Sequence, residues 1–223
     1  MKKILIFGSG DHARVILSEI IKHSEYQMIG FVDEDKKPGT LIESFRSFNY
    51  KVIGKISSLS SIIDTDTYGI IGVGFNYLRK QMSYSISEKY PTLKWATIVS
   101  KDSIINGNVN LGQGCIIHSG CIINNGTEIG DHCIINTKSL IDHDNVFSDY
   151  VSTGPGVTTA GNVTVGECSH IGIQSVINQN ISIGDNSVIG SKSLCTRDCD
   201  SFSIYYGSPV KKIRSREQNE PYL

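Results

Sequence analysis

Ile117-His118-Ser119-Gly120-Cys121-Ile122-Ile123-Asn124-Asn125-Gly126-Thr127-Glu128-Ile129-Gly130-Asp131-His132-Cys133-Ile134-Ile135 places an apolar residue at every sixth position. The series begins at Ile105 and Leu111 and continues through Ile141, Phe147, Val165, Ile171, Ile177, Ile183 and Ile189; only Thr153 and Thr159 break it. A period of six fits neither a 3.6-residue helix nor an alternating strand, so it belongs to a repeat architecture. The spacing predicts a parallel β-helix. Gly112, Gly130, Gly154, Gly166, Gly172, Gly184 and Gly190 follow the repeat residue and predict tight corners, through positive φ or close backbone approach. Two positions before it stand compact residues: Val109, Cys115, Cys121, Cys133, Val151, Val157 and Val163. Both sets are expected to point into a narrow prism and stack coil on coil, which leaves no coil stable alone.

The 223 residues divide where the period begins. We expect an α/β domain over residues 1–95, a β-helix over 96–213 and a mobile polar tail over 214–223. A formal net charge of −1 without a basic run excludes the electrostatic footprint of a nucleic-acid or anionic-membrane partner. Cys115, Cys121 and Cys133 occupy the inward slot and read as reduced core residues. Cys195 and Cys199 lack a second close Cys/His pair, which argues against zinc. The apolar run Ile4-Leu5-Ile6-Phe7 is too short for a signal peptide, and no stretch approaches membrane-spanning length. The expectation is a cytoplasmic protein.

Lys3-Ile4-Leu5-Ile6-Phe7 reads as a buried strand that runs into Gly8-Ser9-Gly10-Asp11-His12-Ala13 and then into Arg14-Val15-Ile16-Leu17-Ser18-Glu19-Ile20-Ile21, with helical spacing. A second strand, Gln27–Val32, ends at Asp33-Glu34-Asp35. Strand, glycine turn, helix, strand and acid resemble a dinucleotide-binding unit, in which backbone N–H groups meet phosphate and the acid meets ribose or base. A third strand over Tyr68–Gly74 and one helix over Asn76–Lys89 complete the domain. This is too short for a full dinucleotide sheet, and glycines serving turns alone are the other reading.

Ser139-Leu140-Ile141-Asp142-His143-Asp144 departs from what packing needs. Ile141 keeps the register, and His143 follows two positions later at a corner between two carboxylates. Acyl transfer from a thioester to an amine or hydroxyl needs a base near pH 7, which is the intrinsic range of histidine. A neighbouring carboxylate fixes its tautomer and raises its basicity. His118, at a corner, is the second candidate base; His132 and His170 are expected on coil faces and His23 on the exposed side of the first helix. A three-histidine metal site spanning two subunits is a further alternative. No metal is expected.

A short α/β domain opening Gly8-x-Gly10-x-His12, followed by a hexapeptide β-helix, is similar to the bacterial nucleotide-sugar acetyltransferases, typified by the bacillosamine-pathway N-acetyltransferase, GDP-perosamine N-acetyltransferase and the sialic acid O-acetyltransferases. The resemblance runs to about Ile213. It implies a left-handed β-helix, a homotrimer with sites between prisms, acetyl-CoA as co-substrate and a role in surface glycan or lipopolysaccharide biosynthesis. It implies His143 as catalytic base with Asp144 raising its basicity. It places the nucleotide-linked amino sugar at Gly10, Asp11, His12, Asp33, Glu34 and Gly74, with Asn136 near the sugar and the Gly161 N–H on the tetrahedral oxyanion. Acetyl-CoA falls to Ile173, Ser191 (a glycine in relatives), Lys211 of Gly207-Ser208-Pro209-Val210-Lys211, and Ser152, where relatives often carry histidine. The expected reaction is direct transfer to the 4-amino group of a nucleotide-linked 4-amino-4,6-dideoxy sugar. Sialic acid O-acetylation and a non-catalytic nucleotide-sugar-binding β-helix are the alternatives.

Overall fold

The computed structural model describes residues 1–23 and 25–222. It separates into two compact units, Met1–Gly74 with Gln81–Ile98, and Phe75–Lys80 with Val99–Leu223.

In the first unit Ile4, Leu5, Ile6 and Phe7 are all fully buried, as a strand covered on both faces must be. They form β1 (Lys2–Phe7), which pairs in parallel with β2 (Tyr26–Val32) and β5 (Thr67–Ile71). Between β1 and β2 runs α1 (Asp11–Lys22), which buries Ala13, Ile16, Leu17 and Ile20 at helical spacing. The third strand stops at Ile71, before the expected Gly74; the next residue, Gly72, packs against Ala13, where an added Cβ would lie 2.6 Å from that of Ala13. An antiparallel hairpin, β3 (Leu41–Phe45) and β4 (Phe48–Gly54), extends one edge, and β6 (Lys94–Trp95) the other, giving the order β3-β4-β2-β1-β5-β6. The helix α2 (Asn76–Lys89) straddles the two units.

The second unit is a left-handed parallel β-helix. Two-residue strands form its three sides, and each pairs with the strand eighteen positions on: Ile117 with Ile135, Ile123 with Ile141, Ile129 with Phe147. Ile117, Ile123, Ile135 and Ile141 of the repeat, and Cys115, Cys121, Cys133, Val151, Val157 and Val163 of the compact slot, are fully buried in one continuous core. All six cysteines are buried and unpaired as disulfides.

Of the two readings of the glycines after the repeat residue, positive φ and close backbone approach, the corners use the second. The left-handed residue comes three positions after the repeat residue, at 114, 120, 126 and every sixth residue to 192, with φ between 51° and 78°. His132, Lys138, Asp144, Tyr150 and Asn162 hold this conformation alongside Gly114, Gly120 and Gly126. The glycine directly after the repeat residue serves close approach instead: a Cβ at Gly130 would lie 2.4 Å from Asp149 Oδ1, and at Gly172 2.6 Å from the Ser191 nitrogen.

The segment expected as a mobile tail is packed. Val210–Ser215 pairs antiparallel with Ser203–Gly207 and closes the end of one side. Arg216 is buried and donates to the Asn186 carbonyl at 3.0 Å, and Tyr222 stacks on His170 with ring centroids 4.1 Å apart. An aromatic ring over a half-buried histidine removes apolar area from water, which a free tail does not. Leu223 lies outside the described residues.

Candidate active site

His143 sits at the corner between Leu140–Ile141 and Val146–Phe147. Its Nδ1 meets Asp144 Oδ2 at 2.8 Å, a contact that uses the left-handed backbone of Asp144, φ 56°. This hydrogen bond, more than the Asp142 and Asp144 charges, holds the imidazole pKa above its usual value. Asp142 faces the other way: its Oδ1 accepts the His143 backbone N–H at 2.9 Å and the Asn124 amide at 3.0 Å, so it shapes the corner. The His143 side chain is 53% exposed. Gly161, one coil on, lies against the ring; a Cβ there would come within 2.4 Å of Cε1 and 2.5 Å of Nε2. Glycine at 161 is therefore what leaves room for the imidazole.

The other histidines lie elsewhere. His118 is buried. His132 is not on a coil face but at a left-handed corner, buried and stacked on Tyr150 at 5.4 Å, because its backbone repeats the Asp144 geometry. His170 is on a strand, with Nδ1 2.8 Å from Ser152 Oγ. Burial pushes both His132 and His170 down to about 4. His23 follows the last residue of α1, half-buried, with no solvent at Nε2. Among the described residues no group of three or more His, Cys, Asp and Glu side chains is placed to hold a metal, and no helix is long and apolar enough to cross a membrane.

Ser152 is thus buried beside a histidine contributed by the next coil, and the Tyr222 hydroxyl lies 3.5 Å from its oxygen. Ile173 and Ser191 occupy one exposed corner column, eighteen positions apart. Lys211 is exposed on the closing hairpin, while its neighbour Lys212 is paired with Asp200 at 2.8 Å. Asn136 takes the corner before Leu140–Ile141 and His143 the corner after it, so one side of the prism separates them within a chain.

In the first unit Gly10 caps α1 with no side-chain cap, and neither Gly10 nor Gly74 would crowd a Cβ within 4 Å. Neither has positive φ. The fold itself does not demand glycine there, so the open space beside both is available to a ligand. Asp33 is engaged: Ser9 Oγ donates to Oδ2, and the Asp35 and Lys36 N–H groups donate to Oδ1 at 3.0 Å, holding its carboxyl below the usual range. Lys36 Nζ reaches the Ser9 carbonyl at 2.9 Å. Glu34 accepts the Ile56 N–H at 2.8 Å, whereas Asp11 is fully exposed beside Arg14. His12 follows Asp11 in the first turn of α1.

Sequence reasoning missed several polar groups. Arg79 is buried and donates to the carbonyls of His132 and Tyr150, both at 2.8 Å, and to Asn76 Oδ1. Asn76 in turn donates to the Cys168 and Ser169 carbonyls. This explains why Phe75–Lys80 clusters with the β-helix rather than with residues 1–74. No periodicity announces a lone arginine with such a role. Thr153 and Thr159, the two breaks in the repeat, do carry a signal: their hydroxyls face the backbone N–H groups of Asn136 and Asp142 at 2.8 and 3.4 Å.

Residues 3–86 match the PglD N-terminal domain. A 61-residue stretch is 41% identical to a chloramphenicol acetyltransferase of Klebsiella aerogenes, covering 27% of this chain and 29% of that protein, so the chain spans under a third of that relative's length. Among solved structures, PerB from Caulobacter crescentus in complex with CoA and GDP-perosamine is 25% identical, over 94% of this chain and 96% of that one, with a TM-score of 0.85. The acetyltransferase domain of PglB from Neisseria gonorrhoeae FA1090 shares the fold at 22% identity, over 96% and 100%, with a TM-score of 0.82. With its PglD-type N-terminal domain and its hexapeptide β-helix, the chain is similar in architecture to the hexapeptide-repeat acetyltransferases.

Proposed function

We propose that this chain transfers the acetyl group of acetyl-CoA to the 4-amino group of a nucleotide-linked 4-amino-4,6-dideoxy sugar, in the making of a bacterial surface glycan. The observation that carries the reading is the His143–Asp144 pair with the bare backbone of Gly161 against its ring. His143 Nε2 takes the proton of the acceptor amine as the nitrogen attacks the thioester carbonyl. Asp144, bonded to Nδ1, keeps the free nitrogen basic and stabilises the imidazolium. The Gly161 N–H steadies the oxyanion, and the tetrahedral adduct collapses with loss of the CoA thiolate. The nucleotide diphosphate enters beside Gly10 and Gly74, where the glycines leave room, with His12, Asp33 and Glu34 around it. PerB, with both CoA and GDP-perosamine bound, supports this substrate class.

The outward residues of one β-helix side support a homotrimer. Ile104, Ile122, Leu140, Thr158, Val176 and Leu194 form one column, with Ile104 and Val176 52% and 41% exposed. A second copy seated there flanks the corners at both ends of Leu140–Ile141 and brings its own residues to the half-open His143. Acetyl-CoA donated across this cleft meets Ser152, Ile173, Ser191 and Lys211. The test is CoA thiol release against UDP-, dTDP- and GDP-linked 4-amino sugars and free sialic acid. Turnover with a nucleotide-linked amine supports the reading. Turnover with sialic acid alone moves the acceptor to a hydroxyl, and no turnover at all leaves a binding protein.

A further inference from the structure

The inward slot of the β-helix has a regular hydrogen-bonding habit. Cys115, Cys121, Cys133, Ser169 and Ser175 each donate to the carbonyl fifteen residues ahead, of Gly130, Asn136, Ser148, Gly184 and Gly190, at 2.7–3.1 Å. Where the slot holds a short polar side chain, that donor satisfies the next coil's corner; Val151, Val157 and Val163 fill the slot without one. Asn145 occupies the same slot and makes the same bond, to the Ala160 carbonyl at 3.0 Å. It also turns back on its own coil: Nδ2 lies 2.7 Å from the Asp142 carbonyl and 3.1 Å from that of His143. The residue is fully buried, and its Oδ1 has no hydrogen-bond partner. An amide with an orphaned buried oxygen costs stability that serine or cysteine in the slot avoids. The amide is oriented so that its N–H groups, not its oxygen, meet three carbonyls. Thr127 Oγ1 adds a second donor to the Asp142 carbonyl at 2.8 Å, so polar interior groups converge under this corner.

We propose that Asn145 is a positioning residue for the base: it sacrifices a satisfied slot to fix the backbone of Asp142 and His143, and with it the direction of the His143 ring toward the acceptor. This rests on the reading of His143 as the base. Serine or cysteine at 145 keeps the bond to Ala160 and loses the two bonds to the corner, so fold and positioning separate. The experiment compares Asn145→Ser, Asn145→Cys, His143→Ala and Asn145→Ser/His143→Ala, with Ser169→Ala as a slot change on another side of the prism. Each is assayed for kcat, for KM of acetyl-CoA and of the turned-over nucleotide sugar, and for melting temperature. The expected result is a fall in kcat of about 10- to 100-fold in both Asn145 variants, the scale of a slightly misplaced catalytic group. Both KM values stay within about threefold, the melting temperature does not fall, kcat of Ser169→Ala is unchanged, and Asn145→Ser adds nothing to the loss in His143→Ala. Wild-type kcat in Asn145→Ser and Asn145→Cys, a loss that adds fully to that of His143→Ala, or a loss that merely tracks unfolding overturns the proposal while leaving the base in place. Wild-type kcat in His143→Ala overturns both.

Discussion

A half-exposed imidazole becomes a strong base only if something raises its proton affinity and fixes its ring, and at position 143 these are separate neighbours. Asp144 does the first and the backbone of Gly161 bounds the second. His143→Ala is expected to lower kcat by roughly 10²–10⁴-fold with little change in KM, the range for a lost general base. In the wild type the acid limb of kcat/KM should lie above pH 6.5, since the proposed base must be neutral to act and the His143 pKa is raised. Asp144→Asn removes the raising partner, so the limb moves to lower pH while kcat falls by less than in His143→Ala; a pH–rate series on both proteins checks the direction. Gly161→Ala drives a methyl into the ring, and steady-state kinetics should show a fall in kcat of roughly 10²-fold, the cost of a displaced catalytic group.

At the scale of the element, the β-helix stands on its apolar ladder, but its polar inclusions decide local geometry. Arg79→Ala leaves the His132 and Tyr150 carbonyls without their charged donor inside the protein. A loss of about 2–4 kcal/mol in denaturant unfolding is expected, as for other stranded buried partners. His132 and His170 give the β-helix an acid limit. Their folded pKa values near 4 lie below the ordinary 6.5, so between these pH values the unfolded chain binds protons that the folded chain does not. Stability is therefore retained above pH 6.5 and lost as pH falls toward 4. The urea midpoint should drop across that window, and less steeply in His132→Gln/His170→Gln.

For the whole molecule, the largely apolar column from Ile104 to Leu194 and the separation of Asn136 from His143 support the proposed cleft between copies. Light scattering is expected to give three chains per particle, and Val176→Asp with Leu140→Asp to yield smaller particles with little activity but an intact β-helix by circular dichroism. A monomer fully active at nanomolar concentration refutes this. In the first unit a nucleotide sugar is expected in preference to NAD. His12→Ala or Asp33→Ala should raise the KM of the nucleotide sugar with less effect on that of acetyl-CoA, and calorimetry showing tight NAD binding alone overturns it.

The sequence by itself determined the β-helix, since a six-residue period over some fifteen hexads admits one way of burying Ile117, Ile123 and Ile129 together. It determined the strand–turn–helix opening of the first unit, and it singled out His143, a titratable side chain between two carboxylates where packing asks for neither. Only the tertiary structure decided that positive φ falls on Asp144 and His132 rather than on the glycines beside the repeat, because coil spacing sets which corner atom is crowded. It alone decided that Gly161 makes room for a ring eighteen residues earlier, that Arg79 donates to the corner carbonyls of His132 and Tyr150, and that Tyr222 packs on His170. These contacts join residues far apart in the chain, and no local periodicity encodes them.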